Sequence, residues 1–159
     1  DGLNDSKQVA APERAALFTR VMCEARACRW AVLGVRSIDR VNIRRASLEA
    51  MRRAVERLAI VPDLLLVDGI DWVPGVELRQ HPIVDGDARM LSIAAASIVA
   101  KVVRDRIMER LDAVWPGYGF ARHKGYATPE HLEALARLGP CPLHRYSFAP
   151  VRVQELPLV

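Results

Sequence analysis

Two aspartates are the residues of this chain best suited to chemistry. Asp68 closes the apolar run Leu64-Leu65-Leu66-Val67 and precedes Gly69, and Asp87 stands in Asp85-Gly86-Asp87. Four branched apolar residues after Pro62, ended by Asp-Gly, predict a short buried strand that stops in a turn. A carboxylate at such a strand end can serve a hard divalent cation, because Mg2+ prefers anionic oxygen. The competing reading is a plain turn, since Asp tolerates turn geometry and caps its own backbone. On residue type alone the turn is the stronger of the two.

The elements that would hold these aspartates alternate between helix and strand. Residues 13–27 follow Pro12 as a helix, with Leu17, Phe18, Val21 and Met22 on its apolar side. Residues 30–35 (Trp-Ala-Val-Leu-Gly-Val) read as a strand. Residues 39–59 predict an amphipathic helix, with Leu48, Met51, Val55 and Leu58 at i, i+3, i+7 and i+10. Its other side carries Arg44, Arg45, Arg52, Arg53 and Arg57, with Glu49 four residues before Arg53. That side could meet phosphate, although such arginines are more often merely solvated.

Residues 64–67 form the second expected strand, and residues 76–84 a third, edge-like one because of Pro82. Residues 90–115 predict a long helix ended by Pro116-Gly117. Its first half, with Ala94, Ala95, Ala96, Ser97 and Ala100, is small enough to approach a sheet closely. A last helix starts at Thr128-Pro129-Glu130, with Thr128 as its cap, and ends at Gly139-Pro140. This alternation is that of an α/β protein.

At 159 residues, 51% hydrophobic and 26% charged, the chain has room for a sizeable core and is not of disordered composition. No apolar stretch is suited to spanning a bilayer. The opening Asp1-Gly2-Leu3-Asn4-Asp5 shows no secretory leader, and a first residue other than Met predicts upstream sequence that was removed or never included. A net charge of +4 modestly favours an anionic partner. The three cysteines (Cys23, Cys28, Cys141) form no CxxC pair, as expected of idle thiols in a reducing, cytoplasmic setting. The four histidines (His81, His123, His131, His144) lack metal-site spacing, which argues against zinc.

Several strings stand out as a set. They are Gly2-Leu3-Asn4-Asp5-Ser6-Lys7-Gln8, Ile38-Asp39-Arg40-Val41-Asn42-Ile43 and Val67-Asp68-Gly69. Gly86-Asp87 and the helix from Ser92 through Ala94-Ala95-Ala96-Ser97 and Ala100-Lys101 to Arg104-Asp105 follow. Tyr118-Gly119-Phe120-Ala121-Arg122-His123-Lys124-Gly125-Tyr126 and His144-Arg145-Tyr146-Ser147-Phe148 complete the order, which runs to about Val151. Together they resemble bacterial ribonuclease HII, the type 2 ribonuclease H.

The resemblance implies a ribonuclease H-like mixed sheet flanked by helices, with a C-terminal helical extension. Residues 1–115 would be the catalytic core, and residues 116–159 the extension and tail of the same domain. The family cleaves the RNA strand of RNA–DNA hybrids and nicks duplex DNA at embedded ribonucleotides, using Mg2+ or Mn2+ held by four acids. By position Asp68 is the third acid and Asp87 the fourth, both catalytic and both metal ligands. Tyr126 matches the aromatic residue that stacks on the deoxyribose following the ribonucleotide; without the resemblance a packed surface tyrosine would be the better reading. Lys7, Lys124, Ser97 and Lys101 become candidate phosphate contacts. Lys101 could instead pair with Asp105, and Arg104 stays undecided. The protein would work as a monomer, away from membranes.

Two departures qualify this expectation. The family's Asp-Glu pair and its Gly-Arg-Gly segment, which senses the 2′-hydroxyl, have no counterpart here, so the first strands are expected to be missing by truncation. With two acids of four, the chain alone is expected to be inactive and poorly soluble. Asp85 also stands where the family usually has a basic residue; it would either raise the proton affinity of Asp87 or point into solvent. The alternatives are a non-catalytic nucleic-acid-binding remnant, or another metal-dependent nuclease on the same sheet, acting on DNA junctions.

Overall fold

A computed structural model describes residues 10–152. Residues 2–8, Lys7 among them, lie outside the described residues. The elements run α1 (Ala11–Glu24), α2 (Val35–Val41), α3 (Ile43–Glu56), β1 (Leu65–Asp68), β2 (Gln80–Ile83), α4 (Gly86–Arg89), α5 (Leu91–Val114), α6 (Phe120–His123), α7 (Pro129–Leu138) and α8 (Ala149–Arg152). The chain divides into two compact units, one of Asp1–Val32 and Ser47–Val102, the other of Leu33–Ala46 and Val103–Val159.

In the first unit, β1 and β2 pair in parallel with Asp68 opposite Ile83. Parallel strands need a crossover, and residues 69–79 provide it without a helix. The Gln80 side chain stabilises this stretch. Its Oε1 accepts from the Val73 N–H at 2.8 Å, and its Nε2 donates to the carbonyls of Val73 and Val76, each at 3.0 Å. Val73 itself is buried, so the amide supplies partners that water cannot. Val67 on β1 and Ile93, Ala94, Ile98, Val99 and Val102 on α5 are buried as well. Of the small residues in the first half of α5 only Ala94 is buried; Ala95 and Ser97 are half-buried and Ala96 and Ala100 face solvent, so the burial expected from composition is met only in part. Helix α1 buries none of its residues completely.

The second unit has its own core of Tyr118, Phe120, Ala134 and Cys141, with Met108, Leu111, Trp115 and Leu143 packed against it. Tyr118 and Phe120 stack with ring centroids 5.3 Å apart, and the Tyr118 hydroxyl donates to the Gly139 carbonyl at 2.8 Å. Helix α7 starts as its sequence predicts: the Thr128 hydroxyl accepts from the His131 N–H, Pro129 takes the first turn, and Gly139 ends it with φ 72°. Burial pushes the Cys141 thiol up, which favours its protonated form.

Two sequence expectations need correction. Residues 30–35 form no strand; they are irregular until α2 begins at Val35, and Trp30 and Val32 are exposed. β-Forming side chains make a strand only when a neighbouring backbone accepts their hydrogen bonds, and β1 and β2 pair only with each other among the described residues. The helix expected over residues 39–59 is broken at Asn42, which has φ 72°. Asn42 ends α2 by donating its N–H to the Ile38 carbonyl at 2.8 Å, and starts α3 by accepting from the Arg45 N–H on its side chain at 3.0 Å. Asn tolerates positive φ and caps well, so one residue serves both helix ends.

Candidate active site

Asp68 is the last residue of β1, and its exposed carboxylate is held from one side. The Gly86 N–H donates to Asp68 Oδ1 at 2.9 Å, across 18 residues of sequence. The partner is reached because β2 runs parallel to β1 and finishes opposite Asp68; the chain then turns at Asp85, whose φ is 53°, into α4. Asp87 follows Gly86 in the first turn of α4 and is half-buried. Asp68 thus accepts a hydrogen bond whose donor is the chain neighbour of Asp87. Asp85 is exposed.

Gly86 has no room for a side chain. A Cβ there would lie 2.6 Å from Ile93 Cδ1 and 3.3 Å from Asp68 Oδ1. The missing side chain lets α4 approach both β1 and α5. Ser97 and Lys101, on the same unit's part of α5, are half-buried and already engaged in interactions within the chain. Carboxylate oxygens are the right donor type for a hard divalent ion. Their number is small: among the described residues no group of three or more His, Cys, Asp or Glu is arranged to hold a metal.

Tyr126 and Lys124 belong to the second unit, in the turn between α6 and α7. Lys124 and Gly125 have φ of 51° and 80°, an arrangement natural for glycine and uncommon for lysine. Tyr126 is 55% exposed, and the Arg104 guanidinium lies over its ring at 4.3 Å from the centroid. Arg104 also donates to the Lys124 carbonyl at 2.8 Å. The Lys124 side chain, taken from sequence as a phosphate contact, is only 15% exposed, and its ammonium pairs with Glu109 at 2.6 Å. It would have to leave that partner to reach a phosphate. The arginine side of α3 behaves similarly: Glu49 accepts from both Arg52 and Arg53, and these bonds, Arg52 first, hold its carboxyl at about 2.

Sequence reasoning missed a buried histidine cluster. His123 and His131 stack with centroids 4.2 Å apart, and His131 Nε2 lies 3.1 Å from His144 Nε2. Every ring nitrogen has a partner, and the partners assign the protons. His123 Nδ1 accepts from the Gly125 N–H, so its Nε2 donates to the Tyr118 carbonyl at 2.7 Å. His131 Nδ1 donates to the Tyr126 carbonyl at 2.9 Å, which leaves its Nε2 to accept from His144 Nε2. His144 Nδ1 then accepts from the Cys141 N–H at 3.0 Å. The ring nitrogens of all three are thus occupied by hydrogen bonds within the protein, and burial lowers the pKa of His131 and His144. The spacing of the three in sequence matches no metal motif, so no signal pointed to the cluster.

The chain resembles known proteins throughout. A family model described as ribonuclease HII matches residues 1–151. A ribonuclease HII of Syntrophomonas wolfei is 49% identical over 157 residues, and one of Rhizobium johnstonii is 50% identical over 155. Each alignment covers 98% of this chain, but the chain spans only 60% of the first relative and 67% of the second. Among solved structures, the ribonuclease H2 of Pyrococcus horikoshii OT3 superposes with a TM-score of 0.79 over 96% of this chain and 79% of that one. At 24% identity this likeness speaks for the fold, the ribonuclease H-like α/β architecture expected from the sequence.

Proposed function

The chain belongs to the ribonuclease HII family, and from that premise we propose that it serves an endonuclease hydrolysing the RNA strand of RNA–DNA hybrids and nicking duplex DNA at embedded ribonucleotides. The observation that carries this reading is the Gly86–Asp68 hydrogen bond, which draws together the two chain segments bearing Asp68 and Asp87. Water attacks the phosphorus, the bond to the 3′-oxygen breaks, and the products are a 3′-hydroxyl and a 5′-phosphate.

Asp68 and Asp87 would hold Mg2+ or Mn2+, which when bound would neutralise phosphate charge and make a water more acidic. Asp68 keeps one oxygen on the Gly86 N–H, which fixes the direction of the carboxylate. Tyr126 offers a ring face to the deoxyribose next to the ribonucleotide; stacking of this kind is worth about 1–3 kcal/mol where measured on bases. Lys7, Ser97, Lys101 and Lys124 are the proposed phosphate contacts, and they orient a duplex without reading its bases. The protein acts as a monomer in the cytoplasm. Residues 1–115 form its catalytic core and residues 116–159 an extension of the same domain.

Two carboxylates hold a divalent ion weakly, so the chain by itself is inactive in this reading. The short donor set favours a second reading for the isolated chain, a nucleic-acid-binding remnant. The test is cleavage of a duplex with one embedded ribonucleotide against an all-DNA duplex, with and without Mg2+ or Mn2+. The full-length protein should cut only the ribonucleotide strand and only with metal, while the 159-residue chain does not cut. Equal cutting of all-DNA duplex by the full-length protein would sink the assignment, and metal-dependent nicking by the chain alone would remove its inactivity.

A further inference from the structure

We propose that Arg104 is a positioning residue for Tyr126, setting which face of the ring meets the nucleic-acid sugar; the idea rests on the nuclease reading above. Tyr126 is more than half exposed, and an exposed aromatic side chain has more than one rotamer open to it. Its turn has little intrinsic preference either, because Lys124 stands in the left-handed region.

Arg104 addresses both sources of freedom. One N–H donates to the Lys124 carbonyl at 2.8 Å, which fixes the backbone of the turn two residues before Tyr126. The guanidinium plane lies 4.3 Å from the Tyr126 ring centroid, so one face of the ring is covered by a cation that is itself anchored. A second contact from α5 strengthens the hold, because Glu109 takes the Lys124 ammonium at 2.6 Å. Behind the turn, His131 Nδ1 donates to the Tyr126 carbonyl and the Tyr126 N–H donates to the His123 carbonyl, each at 2.9 Å. The backbone of residue 126 is thus fixed by α6 and α7, and its ring by α5. A sugar that stacks on Tyr126 must take the face opposite Arg104.

The obvious competitor is that Arg104 binds phosphate directly, and the two roles differ in measurable ways. In the full-length protein, single-turnover cleavage of a duplex with one embedded ribonucleotide would be followed for Arg104→Lys, Arg104→Gln, Tyr126→Ala and the double variant Arg104→Gln/Tyr126→Ala. Positioning predicts that both arginine variants lose roughly fivefold in rate, about the strength of one exposed cation–π contact. It also predicts that lysine does not rescue, because an ammonium lacks the planar fork. The double variant should be no slower than Tyr126→Ala, and the salt dependence of binding should be unchanged.

Full additivity in the double variant, or a shallower salt slope by about one unit in Arg104→Gln, would overturn the proposal in favour of a phosphate contact. If Tyr126→Ala itself cleaves like the parent, the reading of Tyr126 fails with it, a result distinct from failure of Arg104 alone. Thermal melts of each variant separate these losses from unfolding: an arginine variant that loses rate only in proportion to lost folded protein also counts against positioning.

Discussion

The Ser147 hydroxyl donates to the Asp39 carboxylate at 2.5 Å across 108 residues of sequence. The same carboxylate accepts from the Tyr146 N–H at 2.9 Å and the Ser147 N–H at 3.1 Å. One acid in α2 therefore closes the turn that leads into α8, within the second unit. Ile38-Asp39-Arg40 and Tyr146-Ser147-Phe148, two separate strings in the sequence, are the two halves of this contact.

Replacing Asp39 should loosen that turn. Asp39→Ala leaves two backbone N–H groups and one hydroxyl without their acceptor, and a loss of about 1–2 kcal/mol is expected for bonds of this exposure. The Ser147 hydroxyl bond is the main cause of the lowered Asp39 pKa, with the two N–H groups and Arg145 adding to it. Its stabilising effect is complete above the ordinary value of 3.8 and is lost as pH falls through the folded value. Urea midpoints at neutral pH would show the loss; an unchanged midpoint would mean that the turn holds without Asp39.

A second pH window belongs to the histidines. Burial lowers the pKa of both His131 and His144 below the ordinary 6.5, so the folded protein keeps them neutral where the unfolded chain takes up protons. Their contribution is full above 6.5 and is lost as pH falls from there through the folded values. The network sharpens the effect, because a proton added to His131 Nε2 would face the donor of His144. Stability should therefore decline as pH falls below the ordinary value of 6.5, well above the window of Asp39. A flat profile below that value, with ring titration by NMR near it, would contradict the lowered pKa of the two rings.

At the candidate active site, charge and hydrogen bonding can be separated. Asp68→Asn keeps an oxygen to accept from the Gly86 N–H but removes the negative charge, so it should fold normally and lose nearly all activity in the full-length protein. Asp68→Ala removes both and should cost roughly 1 kcal/mol of stability in addition. Wild-type rates in Asp68→Asn would end the assignment of this residue as a ligand.

The crossover between the strands gives a prediction on stability alone. Gln80→Ala deprives the buried Val73 of partners for both its N–H and its carbonyl. The expected loss is about 2–3 kcal/mol, the larger end of the range for unsatisfied buried groups. Gln80→Glu should restore the acceptor toward the Val73 N–H while removing the donor to the two carbonyls, and so fall between. If alanine and glutamate variants were equally stable, the side chain would not be what holds residues 69–79.

Local chemistry made much of this protein legible in its residues. Helices α5 and α7 follow from apolar periodicity, Thr128-Pro129 and the Pro-Gly and Gly-Pro breaks, because capping and backbone restriction act within a few residues. The end of β1 at Asp68 was readable for the same reason. The family was readable because several motifs occur together in one order. The failed strand over residues 30–35 and the break at Asn42 mark the limit: a strand depends on a distant partner, and a periodic apolar pattern does not reveal a residue that both ends and starts a helix.

Only the tertiary structure decided which polar groups meet. Gly86 reaches Asp68 because β2 pairs in parallel with β1, a register that no local preference encodes. Arg104 covers Tyr126 and Lys124 turns to Glu109 because a turn with two positive φ values folds back on α5. Three histidines spaced without pattern come together, His123 stacked on His131 and His131 hydrogen-bonded to His144. Such contacts join residues far apart in sequence, and their free energy comes from desolvation and geometry that exist only once the chain has folded.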